Sequence, residues 1–105
     1  MPEVISNTSC LIALANIGLL DILHNIYGRI TITDEVSAEF GEALPDWVSV
    51  VSVRDASKTK LITTLLDPGE ASSIVLALEK NNALLILDDG KARQAAQSNE
   101  LLTLA

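Results

Sequence analysis

The sequence predicts an α/β protein, a three-layer α/β/α sandwich around a mainly parallel sheet. Three observations carry this. Leu84, Leu85, Ile86 and Leu87 are four consecutive large aliphatics, the pattern of a strand buried on both faces inside a parallel sheet. Short β-branched runs alternate with longer helix-patterned ones in the order β-α-α-β-α-β-α-α-β-α-β, which a layered α/β fold requires. A chain of 105 residues holds one domain with a single core, and we read residues 1–105 as that one domain.

Composition narrows the class. Hydrophobic residues make up 49% of the chain, yet Tyr27, Phe40 and Trp47 are its only aromatics, so the core is aliphatic. Fourteen acids against seven bases give a formal charge of −7. That balance argues against broad electrostatic binding to nucleic acid, which needs a basic surface. It leaves room for an enzyme that reaches phosphate through bound cations, because these reverse the local sign. It also suits a basic partner. No apolar run reaches the roughly eighteen residues of a membrane helix, so no membrane association is expected. The start Met1-Pro2-Glu3-Val4 has no basic segment of the secretory kind. With Cys10 the single cysteine, no internal disulfide can form. A cytoplasmic protein is the expectation, without repeats or interdomain linkers.

The elements follow in order. Residues 2–6 predict a strand ending at polar Asn7, Thr8 and Ser9, with Thr8 or Ser9 capping a helix over 10–16. Asn16 and Gly18 stop it, and a second helix over 19–26 ends at Gly28. Residues 29–32 predict a strand. Thr33 then caps a helix over 34–40, whose first-turn acids Asp34 and Glu35 suit the positive end of the dipole. Glu39 sits in the last turn, against that dipole, so some other demand must place it. Gly41 closes the helix. Residues 48–53 alternate enough for an edge or half-exposed strand, and residues 58–66 predict a modest helix.

Asp67-Pro68-Gly69-Glu70 is a clean helix start: a cap, proline at the first helical position, and glutamate three after the cap. The helix, to about residue 80, should bury Ala71, Ile74, Val75 and Leu78 on one face, with Glu70 at its margin. Residues 84–87 form the strand expected at the centre. A helix follows Gly90, and residues 101–104 begin a last strand.

Two carboxylates, Asp88 and Asp89, follow the 84–87 strand directly, where ligands bind in open α/β sheets. Adjacent carboxylates there are costly without a positive charge, and a divalent metal is the natural one. The plainer reading is a helix cap plus one solvated acid. Glu70 likewise has a plainer role in the capping box. Competing chemistries lack their marks. There is no glycine-rich phosphate loop and no nucleophile elbow, and His24 has no second histidine with which to hold zinc.

The order of motifs resembles a known family. Val4-Ile5-Ser6-Asn7-Thr8-Ser9, with Ile12-Ala13-Leu14-Ala15 and Ile17-Gly18-Leu19-Leu20-Asp21, resembles the opening of a PIN domain. Asp67-Pro68-Gly69-Glu70-Ala71 and Leu85-Ile86-Leu87-Asp88-Asp89-Gly90-Lys91-Ala92-Arg93 resemble its two downstream acidic blocks. The likeness covers nearly the whole chain and is closest to a prokaryotic branch similar to VapC toxins. It implies a Mg²⁺- or Mn²⁺-dependent ribonuclease, the toxin of a type II toxin–antitoxin pair, with RNA as substrate and a cognate antitoxin protein as partner. Carried over by position, Asn7 stands for the first acid and Ser9 for its supporting hydroxyl. Glu39 stands for the second acid, Glu70 for the third, and Asp88 with Asp89 for the last block. Asn7, Glu70, Asp88 and Asp89 would ligate the metal.

Two departures from the family pattern stand out. Asn7 replaces the usual aspartate, removing one negative charge. The chain also ends at Ala105, where relatives continue through another strand and helix, so the reading is of a domain shortened at its C-terminus. An exposed sheet edge there would favour a homodimer. The departures open a second reading, a catalytically inactive PIN-like module that binds protein, for example by sequestering an antitoxin.

Overall fold

The computed structural model describes residues 3–64, 66–80 and 82–86, and the backbone of 102–104. The elements run β1 (Glu3–Ser6), α1 (Thr8–Asn16), α2 (Asp21–Tyr27), β2 (Ile30–Thr33), α3 (Asp34–Phe40), β3 (Val48–Val51), α4 (Ala56–Ile62), α5 (Pro68–Glu79), β4 (Ala83–Ile86) and β5 (Leu102–Leu104). The strands stand in the order β3-β2-β1-β4-β5, and every neighbouring pair is parallel. The α/β class and the parallel sheet are therefore as the sequence predicts. The middle strand is β1, with β4 beside it, so the aliphatic run at 84–87 does not mark the centre. β3 lies at an edge and is half-exposed, as its alternation requires.

The pleat divides the core into two halves, because successive side chains of a strand point to opposite faces. Ile5 and Leu85 point to one face and pack with Ala71, Ile74 and Ala77 of α5. Val4, Ile30, Ile32 and Ile86 point to the other and meet Leu11 of α1, Leu23 of α2 and Val36 of α3. Helices on both faces make the three layers.

Local chemistry sets the helix ends. α1 is capped by Asn7, not by Thr8 or Ser9: its Oδ1 accepts from the Cys10 N–H at 3.2 Å. Thr33 caps α3 as expected, accepting from the Val36 N–H at 3.1 Å. Gly41 then ends that helix at φ +71°, a left-handed conformation that glycine takes without strain. Asp55 starts α4 two residues earlier than predicted, accepting from the Lys58 N–H. His24 has a structural place, its Nδ1–H donating to the Gly28 carbonyl and its ring stacked on Trp47 at 5.2 Å. No single helix among the described residues is long and apolar enough to cross a membrane.

α5 departs most from expectation. The sequence predicts one apolar face, yet Gly69 through Ala77 are all buried, because α3, α4 and the sheet each pack against the helix. Its two buried serines are satisfied at home. Ser72 and Ser73 donate to the Gly69 carbonyl at 3.1 and 2.7 Å, and the Ser72 hydroxyl also meets Thr33 Oγ1 at 2.6 Å.

This packing yields a graded prediction. Leu85 is fully buried whereas Val50 on the edge strand is 43% exposed. Leu85→Ala should cost about 2–5 kcal/mol, and Val50→Ala less than about 1 kcal/mol. Urea denaturation measures both, and equal losses would contradict the placement of the core.

Candidate functional site

The site is built where β1, α3 and α5 come together beyond the carboxyl ends of the strands. The Asn7 N–H donates to the Ile86 carbonyl at 3.3 Å, tying the exit of β1 to that of β4. The Asn7 side chain is wholly buried. Its Oδ1 is fixed as an acceptor by the cap to Cys10, which makes Nδ2 the other arm of the amide. That NH₂ has no hydrogen-bond partner among the described residues. Burying such a donor without an acceptor costs roughly 1–3 kcal/mol.

Next to Asn7, the Thr8 hydroxyl donates to Oε1 of Glu39. The same carboxylate lies against Gly69 in the first turn of α5. A Cβ built on Gly69 would overlap Glu39 Oε1, and would stand 2.6 Å from Thr8 Oγ1 and 2.9 Å from Glu39 Cδ. The demand that places an acid in the last turn of α3 is now visible. Glu39 opposes the dipole of its own helix but lies at the amino end of α5, where peptide dipoles favour a negative charge.

The first turn of α5 carries two further acids. Asp67 caps it, accepting from the Glu70 N–H at 2.9 Å. A hydrogen bond with the Glu70 side chain holds the Asp67 carboxyl below the usual carboxylate range. The N–H groups of Glu70 and Gly69 act in the same direction, while burial works against them. Glu70 itself is buried, at 8% exposure.

Of the residues singled out from sequence, Glu39 is the one the structure shows in contact with another part of the site, Thr8 and Gly69; Asn7 precedes Thr8 and Glu70 follows Gly69 in the chain. Ser9 is exposed, and the hydroxyl that touches an acid belongs to Thr8. Asp88 and Asp89 lie outside the described residues, two and three positions beyond Ile86. Sequence reasoning treated Asp67 as a cap alone, although the Asp-Pro-Gly-Glu block already set it beside Glu70. Among the described residues no three His, Cys, Asp or Glu side chains stand close enough to hold a metal ion. The donors that are present are all oxygens, the type a hard divalent cation takes. A cleft of about 520 Å³ lined by Glu3, Tyr27, Arg29 and Lys80 does not include Glu39, Asp67 or Glu70.

The wholly parallel α/β sandwich agrees with a PIN-like, nuclease-like fold. The chain matches the DUF3368 family, described as a PIN domain, over residues 3–104, and it belongs to that family. Comparison with curated proteins and with solved structures gives no match.

The Asp67 cap gives a prediction with a defined sign. Asp67→Ala should lower stability at pH 7 by about 0.5–2 kcal/mol through loss of the cap. A carboxyl whose folded pKa is depressed contributes stability above its ordinary value of 3.8, and that contribution is lost as pH falls through the folded value. The gap between wild type and variant should therefore narrow below about pH 3.8. Denaturant titrations at pH 7 and pH 3 check it, and a gap that widens on acidification contradicts it.

Proposed function

We propose that this protein is a metal-dependent ribonuclease that hydrolyses RNA phosphodiester bonds, acting as the toxin of a type II toxin–antitoxin pair. The observation that supports this best is membership of the PIN family, together with two contacts at the amino end of α5: Glu39 against Thr8 and Gly69, and Asp67 beside Glu70. On this reading Asn7 and Glu70, with Asp88 and Asp89, hold Mg²⁺ or Mn²⁺. Such a cation supplies Lewis acidity toward the phosphate and lowers the pKa of water at the site.

The chain's own residues do the rest. Glu70 is buried, and a carboxylate there gains from the charge of a bound cation. Thr8 fixes Glu39 at the rim as an exposed acid that can take a proton from water. Asn7 holds the start of α1 through Oδ1, whose second lone pair is what it can offer a cation, and Nδ2 is a neutral donor suited to an acceptor oxygen. We further propose a cytoplasmic protein with a cognate antitoxin as partner, forming a homodimer.

One observation favours the second reading, an inactive PIN-like module that binds protein. Asn7 brings no charge to the cluster, and its oxygen is already engaged as the α1 cap. The variant Asn7→Asp separates the readings. The carboxylate keeps the cap and adds one negative charge beside other acids. Without metal it should lower the melting temperature. With Mn²⁺ it should raise affinity by at least about fivefold, since a charge pair at ~4 Å is worth ~1–4 kcal/mol between bulk water and a protein surface. Thermal melts of both proteins with and without Mn²⁺, alongside cleavage of a labelled RNA, measure this. If Mn²⁺ shifts neither melt and neither protein cuts RNA, the binding module replaces the nuclease.

A further inference from the structure

We infer that Gly69 and Thr8 are positioning residues for Glu39: position 69 is glycine in order to admit the Glu39 carboxylate against α5, and the Thr8 hydroxyl holds it there. The starting point is a residue that local propensity does not favour. Gly69 occupies the second position of a 12-residue helix and is buried. Its φ is outside the left-handed region, so no backbone conformation demands glycine. The Ser72 and Ser73 hydroxyls use its carbonyl, which any residue would supply. Alanine is the better helix former at such a place, because glycine loses more conformational freedom on folding.

The neighbours explain the choice. The volume that a Cβ would fill is taken by Glu39 Oε1, with Thr8 Oγ1 and Glu39 Cδ on either side. Both neighbours come from other elements, α1 and α3, so the contact is a tertiary clasp. One oxygen, Oε1, takes both the Thr8 hydrogen bond and the approach to Gly69. The clasp also fixes Glu39 in register with Glu70, one residue along α5. Without it, an exposed glutamate in the last turn of α3 would sample several rotamers in water.

The placement follows from the geometry alone, and its consequence for cation binding rests on the ribonuclease reading. The test is a cycle of thermal melts with Gly69→Ala in two backgrounds, wild type and Thr8→Ala/Glu39→Ala. In wild type the added methyl should displace the Glu39 carboxylate and lower the melting temperature. In the second background the space is empty, and the same change should raise it by about 2–6 °C, the usual gain for replacing a helical glycine. A change of the same sign in both backgrounds overturns the clasp. Should Gly69→Ala alone fail to fold, a triple variant that melts above the Thr8→Ala/Glu39→Ala pair still shows the reversal, and one that melts below it overturns the proposal.

Mn²⁺ binding, followed by electron paramagnetic resonance of the free ion, gives a readout that packing alone would not move. Glu39 is not a ligand on the ribonuclease reading but adds a negative charge beside the ion, so Gly69→Ala, which displaces it, should weaken Mn²⁺ binding as much as Glu39→Gln does, and combining the two should add nothing. Full additivity would show that Gly69 acts independently of Glu39 and would overturn the positioning role. If wild type binds no Mn²⁺, the ribonuclease reading fails and the melting cycle alone decides the clasp.

Discussion

Helix α5 is covered by the sheet on one side and by α3 and α4 on others, and this enclosure shapes most of the molecule. A helix with no free face has to be small where its neighbours come close, which is why Gly69, Ala71, Ser72, Ser73 and Ala77 all lie along it. Its larger residues, Ile74 and Leu76, fill the spaces that remain. Buried hydroxyls are tolerated because each finds a partner within one turn or on Thr33. The same enclosure brings the last turn of α3 and the start of α1 onto the first turn of α5.

That first turn is where structure and chemistry share residues. Asp67 ends the orphaned amides of α5 and is also an acid beside Glu70. Asn7 ends those of α1 and is also the amide closest to the exit of β1. Helix N-termini favour negative charge, so carboxylates can be concentrated there at lower cost than elsewhere in the fold. Three acids around one turn still repel one another. The hydrogen bond between Asp67 and Glu70 relieves part of that repulsion, and a cation would relieve more.

The departure at position 7 is instructive because the amide and the acid would cap α1 equally well. The cap alone therefore does not distinguish them, and the difference lies in the charge and in what the second atom of the buried side chain offers. An aspartate would present a second anionic oxygen, whereas asparagine presents a neutral N–H donor with no described partner. The nuclease and binding-module readings diverge at this one atom.

Much of the fold was legible in the sequence. Alternating apolar runs, the Asp-Pro-Gly-Glu start of α5, the Thr33 cap and the Gly41 stop are local signals, set by propensity and capping within a few residues. They determined the α/β class, the parallel sheet and nearly every element, and the motif order pointed to the family. Tertiary packing decided the rest. Which strand stands in the middle depends on pairing between distant segments, so Leu84 to Leu87 gave no sign that β1 would take that place. The burial of α5 from Gly69 through Ala77 comes from three separate neighbours, so a one-face pattern could not announce it. The hydroxyl that meets Glu39 belongs to Thr8 and not to exposed Ser9 because side-chain direction at the start of α1 follows from the Asn7 cap. Glu39 looked misplaced on its own helix because the dipole that favours it belongs to another, whose first turn meets it only when the chain folds.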